Sequence, residues 1–159
     1  MSIAELRKQK GLTQKGAAQL LGIPLRTFLN YEYGITSTDS FTGRALLRAL
    51  QEYEPYDENH GILPMDLLIA NAQGVLAKYS SKSIEYVYLF GSYAKGTPQE
   101  KSDVDLLLSG TITGLDFFVL QDELRKALHK KVDLLKLADL KNNPDFLNEI
   151  LKTGRRIYG

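Results

Sequence analysis

Gly91-Ser92, ten further residues and then Asp103-Val104-Asp105 form the part of this chain best suited to chemistry. The apolar run Tyr88-Leu89-Phe90 ends at Gly91, and the two aspartates open another run, Leu106-Leu107-Leu108. A glycine between a strand and a helix permits a sharp turn, so that the first helical amides face an anion with the Ser92 hydroxyl beside them. Residues two apart on a strand share a face, which makes Asp103 and Asp105 converge while Val104 turns into the core. Two such carboxylates repel unless a cation lies between them, and Mg²⁺ takes oxygen ligands while keeping positions open for phosphates. The pattern predicts a site for a nucleoside triphosphate with magnesium. It is not a P-loop, because Thr97-Pro98 stands where Lys and Ser or Thr are needed. Nor is it an EF-hand, because Leu107 replaces the third ligand.

The elements that must hold these residues follow from periodicity and punctuation. After Pro64 the pattern predicts a helix over about Met65 to Lys78, a strand over Ile84 to Phe90, a short helix and a strand over Asp103 to Leu108. A helix from Leu115 to His129 places Phe117, Leu120, Leu124 and Leu128 on one stripe, and a strand follows over Lys131 to Leu135. Asn143-Pro144 starts a last helix, Gly154 stops it, and Arg155 to Tyr158 remain as an edge strand. The fold class is α/β (α+β) with a small mixed sheet.

The segment Gly91-Ser92-(ten residues)-Asp103-Val104-Asp105 resembles the signature of the DNA polymerase β-like nucleotidyltransferase superfamily, in particular its minimal (MNT) branch. The resemblance covers about Ser83 to Tyr158. It implies a third carboxylate on a neighbouring strand, and Asp133 is the acidic residue of the β-prone run Lys131-Val132-Asp133-Leu134-Leu135. Asp103, Asp105 and Asp133 are thus the expected catalytic and metal-binding residues. If the first two hold two Mg²⁺ ions roughly 3.5–4 Å apart, the metals neutralise the triphosphate and favour loss of pyrophosphate. Asp133 would ligate a metal, remove a proton from the incoming hydroxyl, or do both. Gly91 and Ser92 are expected at the outer phosphates of ATP. Lys95 either adds a point charge there or is a solvated surface lysine.

The first third of the chain carries a different pattern. Thr13 is a good N-cap for a helix from Gln14, Gly22 breaks it, and a second helical run from Pro24 ends at Gly34. Ala18 supplies a small residue for a helix crossing, with Leu21, Ile23 and Phe28 spaced to fill the core, while Gly16 should weaken its helix. Leu12 to Gly34 resembles the phage-repressor (XRE-like) helix-turn-helix class. The resemblance implies that the second helix enters the major groove, with Leu25, Arg26 and Asn30 on its reading face, Thr27 nearby and Gln14 at a phosphate. Met1 to Leu50 holds seven Lys/Arg (Arg7, Lys8, Lys10, Lys15, Arg26, Arg44, Arg48) against Glu5, Glu32 and Asp39, a bias that suits operator DNA. Leu25 takes a place that is often polar and Leu29 is expected to be exposed, so a protein-binding surface is the competing reading.

A third helix over Phe41 to Tyr53, with Leu46, Ala49, Leu50 and Tyr53 inward, would close a small all-α domain. The acidic Pro- and Gly-containing stretch that follows gives the expected organisation: residues 1–54 a helix-turn-helix DNA-binding domain, 55–63 a linker, 64–159 a minimal nucleotidyltransferase domain. The absence of cysteine excludes disulfide scaffolds and thiolate metal sites, and no signal peptide or long apolar run is visible. A cytoplasmic protein with no membrane role is expected, acting in an oligomer or hetero-oligomer.

MNT proteins of this size resemble the antitoxin half of MNT/HEPN toxin-antitoxin pairs, which implies transfer of AMP from ATP to a tyrosine of a partner HEPN ribonuclease toxin, with autoregulation at operator DNA. The HEPN motif itself is missing from this chain, because Arg125 and His129 are too close and Lys131 stands where a tyrosine is needed. Two other functions fit the same residues: neutralisation of a partner by binding alone, and nucleotidyl transfer to a small molecule such as an aminoglycoside.

Overall fold

Each helix of the N-terminal part starts at a polar cap or a proline. The computed structural model describes residues 1–159 and divides them into two units, Met1–Pro55 and Tyr56–Gly159. The first contains α1 (Ile3–Gln9), α2 (Gln14–Leu21), α3 (Leu25–Glu32) and α4 (Phe41–Glu52). Ser2 and Glu5 form a capping box at α1, Thr13 accepts the Gly16 amide at 2.9 Å at α2, and Ser40 caps α4. A Cβ on Gly16 would lie 3.0 Å from the Thr13 hydroxyl oxygen, so this glycine leaves room for the cap. Gly22 ends α2 in the left-handed conformation.

The core of this unit joins Ile3 and Leu6 of α1, Ala17 and Ala18 of α2, Phe28 and Tyr31 of α3, and Leu46 and Leu50 of α4. The sequence reading has no counterpart for α1, although Ser2-x-x-Glu5 is a helix-start signal. Two further expectations are corrected. Leu29 is half-buried against the core, and Ala49 is exposed while the buried positions of α4 are Gly43, Leu46 and Leu50. Arg7 crosses this core, donating to Glu32 at 2.9 Å and to the Leu12 carbonyl at 2.7 Å, which ties α1 to α3.

The second unit contains α5 (Met65–Leu76), β1 (Tyr86–Phe90), α6 (Gly91–Lys95), β2 (Val104–Ser109), α7 (Gly114–Leu128), β3 (Val132–Lys136), α8 (Pro144–Thr153) and β4 (Arg155–Tyr158). A 3-10 turn at Leu137–Leu140, not anticipated from the sequence, connects β3 to α8. The sheet order is β3-β2-β1-β4, with β1 antiparallel to β2 and β4, and β2 parallel to β3. This is the expected small mixed sheet, with β4 at its edge. The two-residue period sends Val87, Leu89, Leu106, Leu108 and Leu134 into one core with Leu68, Ala72 and Leu76 of α5 and Leu120, Leu124 and Leu128 of α7. Phe90, Leu107 and Leu135 join Ile150 and Phe146 of α8 on the other face.

Residues 55–63 differ from the expected linker. Tyr56 and Leu63 are buried in the core of the second unit, and the Leu63 amide donates to the Tyr93 hydroxyl at 3.3 Å. The reason is Lys130, a fully buried lysine whose Nζ donates to the carbonyls of Gly61 at 2.6 Å and Glu100 at 2.7 Å, and at 3.4 Å to that of His60. Burial pushes its pKa down, while Asp57 and Glu100 push it back up. No helix is long and apolar enough to cross a membrane.

The Arg7–Glu32 pair makes the helical unit sensitive to either partner, since their side chains are 11% and 4% exposed. Glu32→Ala is expected to cost about 3 kcal/mol by leaving a buried guanidinium without its carboxylate, measured by denaturant unfolding of the full chain. Removing both charges with Arg7→Met and Glu32→Leu should recover most of that loss.

Candidate active site

The sheet register builds the site. Phe90 at the end of β1 pairs with Asp105 of β2, and Asp105 pairs with Asp133 of β3. Gly91, next to Phe90, therefore lies at one end of a row that crosses three strands and contains two carboxylates. Asp103 precedes Asp105 by two residues and stands just before β2. Asp105 is half-buried, whereas Asp103 and Asp133 are exposed.

Gly91 serves two purposes at once. Its φ of +72° is left-handed, and a Cβ there would fall 2.1 Å from Asp105 Oδ2. Any side chain would therefore strain the turn and displace the carboxylate. α6 begins at Gly91 and Ser92 with Phe90 as its N-cap, and no side chain caps the first turn. The first amides of a helix left without a side-chain cap are the groups an anion can satisfy.

Burial, with added repulsion from Asp133 and then Asp103, raises the Asp105 carboxyl from 3.8 to about 6. No three acidic or His side chains are gathered into a ready-made metal cage. The donor set nevertheless fits a hard divalent cation by its chemistry, since carboxylate oxygens that disfavour one another's charge are relieved by a positive ion.

A cleft of about 450 Å³ opens on the β3 side of this row, lined by Asp103, Asp133 and Lys131 together with Phe118, Gln121 and Arg125 of α7. The Gln121 amide donates to the Val132 carbonyl at 2.7 Å and fixes α7 against β3. On the β1 side, Gly91 and Lys95 border a smaller cavity of about 160 Å³ with Phe146 and Glu149 of α8. Lys95 makes an exposed ion pair with Glu149 at 3.7 Å. The α7 residues and Lys130 were not found by sequence reasoning. The helical stripe of α7 read as core packing alone, and a lysine before a strand gives no sign of being buried.

In the helical unit, Leu25 and Arg26 lie exposed at the start of α3, with Thr27 and Asn30 half-buried on the same helix. Gln14 is half-buried at the start of α2, its amide donating to the Tyr33 hydroxyl at 3.1 Å.

A glycine-turned helix start thus stands beside an Asp-x-Asp strand, with a third carboxylate in register on the next strand. The polymerase beta nucleotidyltransferase family profile matches residues 70–159, more than half of the chain, and the chain belongs to that family. A helix-turn-helix family profile matches residues 3–56. The chain is 40% identical over 79 residues to a candidate protein adenylyltransferase of Methanocaldococcus jannaschii, covering 48% of this chain and 78% of that protein. It is 32% identical over 79 residues to the protein adenylyltransferase MntA of Shewanella oneidensis, covering 48% of this chain and 55% of that one. A crystal structure of a toxin-antitoxin with AMP-PNP superimposes with a TM-score of 0.50 at 26% identity, over 57% of this chain and 73% of that one.

The raised Asp105 carboxyl gives a pH signature in metal-free protein. Its neutral form is favoured by folding, so its contribution to stability is full below pH 3.8 and is lost as pH rises through about 6. Asp105→Asn should be more stable than wild type at pH 7 in chelator by on the order of 1 kcal/mol after screening is allowed for, and no more stable at pH 3.5. Paired thermal melts across that range test the sign.

Proposed function

We propose that this chain is a Mg²⁺-dependent protein adenylyltransferase antitoxin that transfers AMP from ATP to a tyrosine hydroxyl of a HEPN ribonuclease toxin. The observation that carries the reading is the row from Gly91 through Asp105 to Asp133, which sets an anion-facing helix start on one side of the carboxylates and an open cleft on the other. The similarity to protein adenylyltransferases and to a toxin-antitoxin structure with AMP-PNP supports the substrate and the partner.

The α6 amides at Gly91 and Ser92, with the Ser92 hydroxyl, hold the outer phosphates of ATP, and Lys95 is within the same region. Asp103 and Asp105 hold Mg²⁺, which when bound supplies charge neutralisation for the triphosphate and the departing pyrophosphate. Asp133 faces the acceptor. The tyrosine oxygen forms a bond to the α-phosphorus, the bond from that phosphorus to the bridging oxygen breaks, and pyrophosphate leaves with the electron pair. The hydroxyl proton passes to the Asp133 carboxylate. In the helical unit, α3 reads operator DNA through Leu25, Arg26, Thr27 and Asn30, with Gln14 at the backbone, so that the antitoxin controls its own synthesis.

With α-labelled ATP and Mg²⁺, wild-type protein is expected to label a HEPN toxin and release pyrophosphate. Asp103→Ala and Asp105→Ala should each lower the rate by about 100-fold or more, and chelation should stop it. Wild-type protein that leaves the toxin unlabelled under these conditions overturns the enzymatic reading. For the DNA role, Arg26→Ala should weaken binding to the promoter fragment of its own reading frame by about tenfold or more without changing the melting curve.

A further inference from the structure

The outer face of α7 is apolar around Phe118, which lines the cleft that Asp103 and Asp133 also line. Leu115 is 83% exposed, Phe118 65% and Val119 50%, at the i, i+3 and i+4 positions that bring side chains together on a helix. The inner face of the same helix holds Leu120, Leu124 and Leu128 in the core, so these three are not needed to seat it. Phe118 touches Phe117 edge-on at 5.9 Å, and Phe117 lies beneath the Lys136 ammonium. Exposed aliphatic and aromatic groups clustered in this way mark surfaces that become covered.

Phe118 belongs to two features at once. It is the central residue of the ridge and also a wall of the cleft that contains Asp103 and Asp133. The anion-facing end of the site, at Gly91, lies across β2 from that cleft, because the strand order is β3-β2-β1. A triphosphate held at Gly91 leaves the β3 side for the acceptor. A macromolecule that delivers a hydroxyl to Asp133 through this cleft passes Phe118. Gln121 and Arg125 extend the same helical stripe as a polar margin, which gives an apolar centre with a polar rim.

We infer that the Leu115–Phe118–Val119 ridge is the docking surface for the acceptor protein, contacting apolar side chains around its acceptor tyrosine and guiding that tyrosine into the cleft. This rests on the transfer reading for the identity of the partner, but it concerns binding and is tested separately from chemistry. A nucleotide base and a second copy of this chain are the competing occupants.

The test uses the full chain with the HEPN toxin of Shewanella oneidensis and with a HEPN protein encoded beside this chain. Leu115→Lys and Val119→Lys, both at exposed positions outside the cleft lining, are compared with wild type and with Asp103→Ala. Each ridge variant should raise the KM for the toxin, and the Kd of the complex measured in the Asp103→Ala background, by about tenfold or more. The KM for ATP, the affinity for AMP-PNP, the kcat at saturating toxin and the melting temperature should stay within about twofold or a few degrees of wild type. Unchanged toxin binding overturns the inference while leaving transfer intact. A weakened affinity for AMP-PNP assigns the ridge to the nucleotide, and a ridge variant that changes the oligomeric state of the free chain assigns it to a second copy; either result overturns it. Complex formation that depends on Leu115 and Val119 without any labelling upholds the docking surface and removes the enzymatic reading. A wild-type chain that binds neither HEPN protein overturns both.

Discussion

Like charges held close by a sheet register are the constraint around which the second unit is organised. Asp105 and Asp133 are in register on parallel strands, and Asp103 is two residues from Asp105. Their separation is set by the backbone and cannot relax without breaking ladder hydrogen bonds. The unit accepts this electrostatic cost and surrounds it with packing that does not depend on it. Val104, Leu106 and Leu107 are all fully buried next to the charged positions. At about 25 cal/mol per Å² of apolar surface, burying those side chains outweighs a carboxyl raised to about 6.

Gly91 shows how narrow the tolerance is at the other end of the row. The residue must take a left-handed turn, start a helix and leave space for the Asp105 oxygen, and one missing Cβ meets all three demands. The helix it starts is only five residues long, ending at another left-handed glycine, Gly96. Such a short helix draws little stability from its own hydrogen bonds. Tyr93, almost wholly buried and bonded through its hydroxyl to the Leu63 amide, anchors it instead.

What was legible in the sequence had a local cause, although the equally local Ser2–Glu5 capping box of α1 went unread. Thr13 caps its helix by a bond to a residue three positions on, and strands around Asp105 and Asp133 follow from runs of apolar residues. The mixed sheet was likewise accessible, through the period of a strand and the family resemblance. Long-range partners left no such trace. Nothing near Lys130 signals that its ammonium will bond carbonyls some thirty and seventy positions away. Nothing in the polar, Pro- and Gly-containing stretch 55–63 distinguishes a free linker from one pinned in this way. Ala49 illustrates a different failure: helical spacing allowed it on the core stripe, but the packing of α4 uses Gly43, Leu46 and Leu50.

Lys130 also determines which features of its surroundings are free to vary. It grips His60, Gly61 and Glu100 only through their main-chain oxygens, so the side chains at those positions carry no part of the bond. Exchange of the exposed His60 leaves the clasp intact, whereas Gly61 must keep its left-handed turn, the Glu100 carboxylate favours the charged ammonium, and inserting or deleting one residue in either segment would move a carbonyl out of reach. In descendants of this chain, loop length around positions 57–61 and 96–101 should drift far more slowly than the identity of an exposed residue such as His60.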